Sequence, residues 1–368
     1  MPLPLMPRVI GIDPGTISLD VCGIDDGRVF LDRSWPTSEV FAQPALLLEV
    51  LEAAAPLDLI AGPSGYGLPL VTAQDLREED LRLAYLPDEG RGGGIAGSRA
   101  LMRTLAQSRA PIVLTPGVVH LPSVPAHRKV NRVDMGTADK VCAAALAIHE
   151  QAERRGCSER DVSFILLELG GAFTAALGIR DGSIVDGAGG TSGPLGIRAA
   201  GALDGEVAFL AGAITKGHLF AGGAATIAGT PDAAAETLVA STTERGRIAW
   251  EAYVETAVKA VAALAVSVPR PYEIILSGRL ARVPSVLDEL SRRIEKVVPA
   301  ASVHALSGFA TVSKQAAQGA ALIADGLAGG RFASIVSALG LRDARGTVLD
   351  YLYVISPAVA RARLGIGT

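Results

Sequence analysis

Three short apolar runs near the start of the chain are separated by two breaks rich in acidic residues and glycine. Residues 9–12 and 18–24 form the first two runs, and residues 29–35 form the third. The first break reads DPGT (residues 13–16) and the second reads DDG (residues 25–27). Runs of this length between turn residues predict three strands, with a tight hairpin turn at the second break.

The same order of runs and breaks returns about 155 residues later. Residues 162–169 are apolar and lead into ELGG (residues 168–171), and residues 173–179 form the next run. RDG (residues 180–182) then makes a turn before residues 183–185. An internal repeat of strand, glycine loop, strand, turn and strand is more specific than either copy alone. It predicts two similar domains that face each other across a cleft.

Other segments complete both halves. Further strands are predicted at residues 57–61, 111–114, 273–276 and 302–305, with residues 348–355 forming a strand or a helix. Helices are predicted at residues 40–55, 101–107, 243–268, 283–297, 311–325 and 332–341, with one after Thr137 and short ones within 202–213 and 217–230. The helix at 311–325 is crowded with alanine and glycine, which is typical of a helix that another helix approaches closely.

Composition narrows the class of protein. The chain has 368 residues, 49% of them hydrophobic and 20% charged, so it is long enough for two globular domains. A net charge of −4 and an aromatic content of 4% argue against a nucleic-acid surface, which needs a basic stripe with stacking rings. No run is apolar enough for a membrane span or a secretory signal, and the three cysteines lack metal-ligand spacing. We therefore expect a cytoplasmic protein with neither a nucleic-acid nor a membrane partner.

The two glycine breaks carry candidate chemistry. Each has an acid at a strand end, glycines where the backbone can approach a ligand, and a nearby hydroxyl. These residues are Asp13, Gly15 and Thr16 in the first break, and Glu168, Gly170, Gly171 and Thr174 in the second. Backbone N–H groups and hydroxyls suit phosphate oxygens, and a carboxylate suits a hydrated cation. A lone DPGT would more often be an ordinary turn, but its repetition favours phosphate and metal binding.

Three further glycine-rich segments have more than one interpretation. Residues 62–67 (GPSGYG) follow a predicted strand, and lining the cleft or connecting elements at the surface are equally weighted alternatives. Residues 186–196 are another cleft candidate. The charged segment 72–100 contains RGGG at residues 91–94. We prefer a surface loop there, and the alternative is a lid that brings Arg91 or Arg99 to a substrate.

With its repeated unit, the chain resembles the superfamily that includes acetate and sugar kinases, actin and the large heat-shock ATPase chaperones. The resemblance covers most of residues 8–326. It implies an α/β fold of two ribonuclease-H-like (actin-like ATPase) domains facing each other across a nucleotide cleft, with ATP and Mg²⁺ as cofactors. We expect the domains at residues 8–157 and 158–330, and a C-terminal segment, residues 331–368, that packs back on the fold.

The resemblance also implies roles for particular residues. Ser277, Gly278 and Arg279, between a predicted strand and helix, resemble the adenosine motif of the superfamily. The glycine breaks would cradle the β- and γ-phosphates through Gly15, Thr16, Gly170 and Gly171. Asp13 and Glu168 would hold Mg²⁺ through water.

The resemblance also implies two connecting helices, one after Thr137 and one at residues 311–325, with the second packed against the face at residues 143–147. Catalytic candidates lie near the start of the first connecting helix. Asp134 would orient the acceptor, act as a base for a hydroxyl acceptor, or sit on the metal if the acceptor is a carboxylate. Helix capping is an equally weighted alternative for Asp134 and for Asp139. One arginine would offset charge on the transferring group. The candidates are Arg91, Arg99, Arg128 and Arg132, of which Arg99 and Arg132 join Asp13 and Asp134 in the proposed catalytic set.

Within this superfamily, residues 166–211 look most similar to butyrate and acetate kinases. GSIVD (residues 182–186) fits the strand that follows the glycine-rich strand pair in those enzymes. The whole chain resembles an uncharacterised, predicted butyrate-kinase-like family. Two features depart from that pattern. Acyl kinases carry Asn where this chain has Asp13, and their FHGTSH block is absent, which leaves His120 and His127 more simply explained as structural.

The leading functional hypothesis is an ATP- and Mg²⁺-dependent kinase acting on a short-chain carboxylate or another small metabolite. The alternative is a nucleotide-driven ATPase switch without a phosphoacceptor, and a weaker third is a binding module that has lost nucleotide chemistry. The acids and glycines in both breaks argue against the third hypothesis. The lack of a substrate-binding region after residue 326 disfavours a chaperone-like switch. A homodimer stays an open alternative.

Overall fold

A computed structural model of the chain describes residues 6–87, 94–271, 273–299 and 301–367. Its strands form two mixed sheets. The first sheet contains β1 (Arg8–Pro14), β2 (Ser18–Asp25), β3 (Arg28–Pro36), β4 (Leu59–Pro63), β5 (Val71–Thr72) and β6 (Ile112–Thr115). The second contains β7 (Phe164–Leu169), β8 (Thr174–Arg180), β9 (Ser183–Ala188), β10 (Glu273–Ser277) and β11 (Ser302–Ala305).

The helices of the described residues surround these sheets. In the first half they are α1 (Thr37–Ala42), α2 (Ala45–Ala53), α3 (Glu78–Tyr85), α4 (Gly94–Gln107), α5 (Ala126–Lys129) and α6 (Ala138–Arg155). In the second half they are α7 (Gly205–Ala211), α8 (Lys216–Leu219), α9 (Ala224–Ala228), α10 (Ala235–Val239), α11 (Glu244–Leu264), α12 (Pro284–Val297), α13 (Gln315–Leu327), α14 (Ala333–Leu339) and α15 (Pro357–Arg363). None of these helices combines the length and the apolar character that crossing a lipid bilayer requires.

Five strands of the first sheet repeat the order of the five strands of the second, which confirms the predicted repeat, and β5 is an additional edge strand. The strand orders are β3-β2-β1-β4-β6-β5 and β9-β8-β7-β10-β11, the second read from its β9 edge. The first three strands of each sheet are antiparallel, and β4 and β10 lie parallel to β1 and β7. The hairpin turns also correspond, because Asp26-Gly27 and Asp181-Gly182 all have positive φ angles. Such angles are typical of a type I′ turn, which matches the twist of the flanking strands.

Helices α6 and α13 cross between the two sheets. A Cβ added at Gly319 would meet the backbone of Cys142 and Leu146, so the two helices are in backbone contact. This confirms the predicted close approach of the alanine-rich helix to residues 143–147. On its other side α13 packs on β1, where a Cβ at Gly11 would meet the backbone of Ala317 and Ala321. The helix therefore follows the second sheet in sequence and covers the first sheet in space.

Residues near the C-terminus also lie on the first sheet. Val348, Leu349 and Ile366 belong to the same buried cluster as strands β1 and β4. The predicted strand or helix at residues 348–355 is wrong. Asn131 explains the irregular backbone there, because its side-chain oxygen accepts hydrogen bonds from the N–H groups of Tyr353 and Val354. The boundaries 8–157, 158–330 and 331–368 stay predictions.

Three other element bounds differ from the prediction for visible reasons. Pro44 separates α1 from α2, where a single helix is predicted, since it cannot donate a backbone hydrogen bond. Helix α13 begins at Gln315 rather than residue 311, because the N–H groups of residues 311–313 donate to the carboxylate of Asp32. Two short helices, α8 and α9, occupy residues 217–230, where one is predicted.

Candidate functional site

A cavity of about 440 Å³ lies between the two sheets. The loops that follow β1, β4, β7 and β10 line it, together with the first residues of α6 and α13. Strand β1 is parallel to β4, and β7 is parallel to β10, so the carboxyl ends of each pair meet at the same edge of their sheet. Such an edge is where open α/β sheets bind ligands. We refer to this cavity as the cleft.

The first glycine loop, residues 13–16, lies at one wall of the cleft. The three candidate residues of this loop, Asp13, Gly15 and Thr16, all line the cleft. The loop is held by two hydrogen bonds, from the Gly15 N–H to the Asp13 carbonyl at 3.0 Å and from the Thr37 hydroxyl to the Gly15 carbonyl at 2.6 Å. Thr16 is exposed to the cleft. A Cβ at Gly15 would lie 2.4 Å from the Lys314 Nζ, so the end of that lysine side chain borders the loop.

The second glycine loop, residues 168–171, faces the first. Glu168, Gly170 and Gly171 line the cleft. A Cβ at Gly171 would lie 2.5 Å from the Ile17 side chain of the opposite wall, so the two loops are in close contact. Thr174 does not line the cleft. It is fully buried at the start of β8, where it pairs in register with Leu169.

The third predicted motif lies beside the second loop. Gly278 and Arg279 line the cleft, and Ser277 is buried at the end of β10 without lining it. Gly278 has a φ of +86°, and a Cβ there would lie 2.4 Å from the carbonyl oxygen of Leu169. The glycine thus permits both the turn and the close approach of the two strand ends. Arg279 extends outward and pairs with Glu236.

Buried charges occupy the floor of the cleft. Asp13 is 4% exposed, and burial raises its pKa to about 7, although Lys314 opposes the shift. Burial likewise raises the pKa of Glu168, against the effect of Lys140. At Asp139 burial raises the pKa, but Lys140 and a hydrogen bond from Thr137 outweigh it and leave the pKa lowered. The floor therefore holds several carboxylates whose charges depend on two lysines.

Those lysines make short contacts. The Lys140 Nζ lies 2.6 Å from an Asp139 oxygen and 2.8 Å from a Glu168 oxygen. The Lys314 Nζ lies 3.0 Å from an Asp20 oxygen and 3.8 Å from an Asp13 oxygen. Burial lowers the pKa of each ammonium, but the neighbouring carboxylates outweigh it, so both pKa values are raised. Both side chains therefore carry a positive charge.

Asp134 lies beside residues 189–192, and a Cβ at Gly189 would overlap its carboxylate. Its carboxylate accepts hydrogen bonds from the Gly136 N–H at 3.1 Å and from the N–H and hydroxyl of Thr191, both at 3.0 Å. Burial raises its pKa, and these hydrogen bonds oppose the shift. Asp134 lines the cleft together with Tyr66 and Tyr85. Asp134 does not cap α6, because it lies three residues before the N-cap residue, Thr137.

The three arginine candidates within the described residues do not line the cleft. Arg99 pairs with Glu78 at 2.7 Å, although its neighbour Ser98 lines the cavity. Arg132 donates to the Ser192 carbonyl at 3.1 Å, and Arg128 donates to the Val185 carbonyl at 2.7 Å. Arg91, with the glycine run of the possible lid, lies outside the described residues.

Lys140 and Lys314 are the site residues that the sequence prediction did not assign. One compositional signal was available. The chain has only six lysines among its 34 basic residues, and two of the six lie in the cleft. A compact ammonium is a different chemical choice from a guanidinium, so a rare lysine beside a glycine loop or at a helix start is informative.

The carboxylates of the floor include one oxygen that is free to face a hydrated metal ion. The Oε2 atom of Glu168 is buried and has no hydrogen-bond partner within the described residues. Among those residues, no group of three or more His, Cys, Asp or Glu is arranged to hold a metal ion directly. Mg²⁺ is usually bound by one or two carboxylates, several waters and substrate phosphates. The unpartnered oxygen of Glu168, with Asp13 in the same cavity, fits that mode of binding.

Comparison with solved structures places the fold among known ones. The chain is similar to an acetate kinase of Porphyromonas gingivalis (TM-score 0.56, 14% identity, covering 79% of this chain and 88% of that chain). It is also similar to a propionate kinase of Francisella tularensis subsp. tularensis (TM-score 0.59, 13% identity, 85% and 99%). An acetate kinase of Entamoeba histolytica gives a TM-score of 0.54 at 12% identity, covering 78% and 85%. At such identities the likeness establishes the fold, which is the predicted pair of actin-like ATPase domains.

Comparison with sequences gives the family. No curated protein matches the chain. The sequence profile described as "Protein of unknown function (DUF1464)" matches residues 11–354, which is most of the chain. The predicted fold is thus confirmed, and the family whose profile matches is one of unknown function, as the resemblance to an uncharacterised family implied. The chain belongs to the DUF1464 family and has the fold of the acetate kinase and actin-like ATPase superfamily.

Proposed function

We propose that this protein is an ATP- and Mg²⁺-dependent kinase for a small-molecule acceptor. One observation carries the proposal. Two glycine loops, each following an acidic strand end, face each other across a single cavity of about 440 Å³. Phosphoryl transfer depends mainly on positioning and charge neutralisation, and this cavity supplies close backbone approach, carboxylates and ammonium groups together. The fold shared with acetate and propionate kinases supports the proposal without deciding the substrate.

The nucleotide is proposed to lie along the two loops. Gly278 and Arg279 would flank its adenosine, while Gly15 and Gly170 would let backbone N–H groups approach the β- and γ-phosphates. Asp13 and Glu168 would hold Mg²⁺ through water, and the bound ion would neutralise phosphate oxygens. The bond from the γ-phosphorus to its bridging oxygen breaks, a bond from phosphorus to an acceptor oxygen forms, and ADP leaves.

A short-chain carboxylate is the proposed acceptor. The resemblance of residues 166–211 to butyrate and acetate kinases motivates it. The cleft also has an apolar wall, where the rings of Phe173 and Phe220 pack edge to face at 4.8 Å, and this wall suits a short alkyl chain. A carboxylate acceptor is ionised already and needs no base.

A hydroxyl acceptor is the second candidate, and Asp134 is the observation that favours it. Its buried carboxylate lines the cleft, and its raised pKa makes it a better proton acceptor than an ordinary aspartate. In that reaction the hydroxyl proton passes to Asp134 while the new bond to phosphorus forms. The aromatic side chains of Tyr66 and Tyr85 would then face a more polar substrate.

The first test is nucleotide binding. ATP with Mg²⁺ should raise the melting temperature, because a ligand that binds only the folded state stabilises it by about 2.7 kcal/mol at 100 times its dissociation constant. AMP with Mg²⁺ is the matched control, since it lacks the phosphates that the loops would hold. If neither the melting temperature nor calorimetry responds to millimolar ATP, the proposal is wrong.

The second test identifies the acceptor. Short-chain carboxylates and sugars are incubated with protein and ATP, and phosphorylated products are sought by mass spectrometry. For a hydroxyl acceptor, Asp134→Asn should lower kcat by about 10²–10⁴-fold. For a carboxylate acceptor, the same variant should lose much less. ATP hydrolysis without any phosphorylated product would instead favour the ATPase switch.

A further inference from the structure

We propose that Lys314 and Lys140 are the cations that contact the transferring phosphoryl group, each supplied to the phosphate loop of the opposite half of the molecule. This inference rests on the proposed kinase function and replaces the arginine that the sequence suggested. Three observations support it: the position of each Nζ atom, the N–H group of each ammonium that has no acceptor among the described contacts, and the helices on which the two lysines lie.

Lys314 lies directly against the first glycine loop. Its Nζ donates to the Ser18 carbonyl at 3.0 Å and contacts Asp20 at 3.0 Å. A Cβ built on Gly15 would lie 2.4 Å from that same Nζ. The Lys314 ammonium therefore borders the space above Gly15 that a phosphate would approach. That space is open because Gly15 has no side chain.

Lys140 reaches the second loop through its acidic residue, Glu168. Its Nζ contacts Glu168 at 2.8 Å and Asp139 at 2.6 Å, and its side chain lines the cleft. An ammonium has three N–H donors. The described contacts engage two donors of Lys140 and two of Lys314, so each retains one N–H for a ligand oxygen. The two lysines thus remain able to bind phosphate while paired with carboxylates.

Each half of the molecule supplies one lysine to the other half. Lys140 stands in the first turn of α6, which follows the first sheet, yet it pairs with Glu168 at the end of β7 in the second. Lys314 is the N-cap residue of α13, which follows the second sheet, yet it pairs with Asp20 in β2 of the first. Because α6 and α13 are in backbone contact at Gly319, the two ammonium groups are held by one rigid crossing.

The arginines do not compete for this role within the described residues. Arg99, Arg128 and Arg132 do not line the cleft. Arg279 and Arg282 do line it, but they lie beside Gly278 at the end proposed for adenosine. Among these basic residues, Lys314 and Lys140 are the ones whose contacts place them at the two glycine loops.

Kinetics of Lys314→Ala test the inference. The variant should lower kcat by about 10²–10³-fold, as expected for loss of one group that stabilises transition-state charge, with a smaller change in KM for ATP. Small alkylammonium ions should restore part of the lost turnover, which a purely structural lysine would not allow. Lys314→Arg should recover less than the full rate. Lys296→Ala, at an exposed position of α12, is the matched control and should keep wild-type turnover.

A second measurement uses the wild-type protein and so does not depend on a variant folding. Lysines are methylated with and without ATP and Mg²⁺, and each site is quantified by mass spectrometry. Lys314, whose side chain is 40% exposed, should be protected by ATP, whereas Lys259, at 71%, should not. Lys140→Ala should lower kcat as Lys314→Ala does. The melting temperature of Lys140→Ala should also be measured, because two buried carboxylates lose their partner in that variant.

The outcomes separate the two proposals. If wild-type protein neither binds ATP nor transfers phosphate, the kinase function fails. If it does both, but Lys314 is unprotected and Lys314→Ala turns over within about twofold of wild type, the kinase function stands and the lysine inference is overturned. Full activity of Lys314→Arg, together with absent rescue by alkylammonium ions, would also overturn it, since pairing with Asp20 would then be the whole role.

Discussion

Replacing Gly319 by alanine should test the helix crossing on which both halves of the cleft depend. The added Cβ would lie 1.8 Å from the Cys142 carbonyl oxygen and 2.6 Å from its carbonyl carbon. Ordinary contact begins near 3.4 Å, so α6 and α13 would have to separate by about 1.6 Å. Helix α13 cannot simply retreat, because the backbone of Ala317 lies against Gly11 on its other side.

The expected cost follows from these distances. Overpacking of this kind costs about 1–3 kcal/mol. The better helix propensity of alanine returns about 1 kcal/mol, so Gly319→Ala should destabilise by up to about 2 kcal/mol. The lysines at the starts of both helices would be displaced with the crossing. Turnover should therefore fall more than ATP affinity, as expected when closure of a cleft is hindered.

Chemical denaturation and steady-state kinetics measure the two effects. Gly205→Ala is the matched control, because Gly205 is exposed in α7 and a Cβ there meets nothing within 4 Å. That variant should be neutral or more stable by about 0.4–1 kcal/mol. If Gly319→Ala is as stable as Gly205→Ala and turns over at the wild-type rate, the two helices are not held in backbone contact and the reasoning fails.

Three further predictions concern single side chains. Gly170→Val should weaken ATP binding at least about tenfold by calorimetry, since a Cβ there would lie 2.6 Å from the Phe173 carbonyl and bring a side chain to the phosphate loop; an unchanged affinity would make this loop purely structural. Burial lowers the pKa of His120 in the folded chain to about 4, so below pH 6.5 the unfolded chain takes up a proton that the folded chain does not. The free energy of unfolding should therefore fall by up to about 3 kcal/mol as the pH drops from 6.5 to 4. In denaturation curves, His120→Gln should reduce this pH-dependent loss of stability. Asp32→Asn should cost about 1–2 kcal/mol and lower kcat, because the carboxylate holds the N–H groups of residues 311–313 beside Lys314; unaltered kcat would show that this turn does not position the lysine.

Local patterns predicted the repeated unit well because its signals are local. A tight turn at Asp26-Gly27 or Asp181-Gly182 is specified by residues that tolerate positive φ, and the flanking runs specify strands. The same holds for the glycine loops, which follow their strands directly. The cleft positions of Asp13, Gly15, Glu168 and Gly170 could therefore be proposed from order along the chain alone.

The cations could not be predicted in that way. Lys140 and Lys314 are 174 positions apart in sequence and meet the glycine loops only because α6 and α13 cross. Arg99 and Arg132 were attractive by charge, but Glu78 and the Ser192 carbonyl occupy them. Residues 348–355 likewise look regular by composition, but hydrogen bonds between Thr347 and Asp350, and from Tyr353 to the distant Asn131, hold an irregular backbone there. The cytoplasmic location predicted from composition stays a prediction.

The position of α13 on the first sheet has a consequence for how the protein is made. Strand β1 is synthesised before the helix that covers its Gly11 face, residues 315–327. About three hundred residues are synthesised between the strand and that helix. All strands of the first sheet are made before those of the second, but the helix that packs on β1 is made after the strands of both sheets. Translation must therefore pass residue 327 before either half of the molecule has its complete interior.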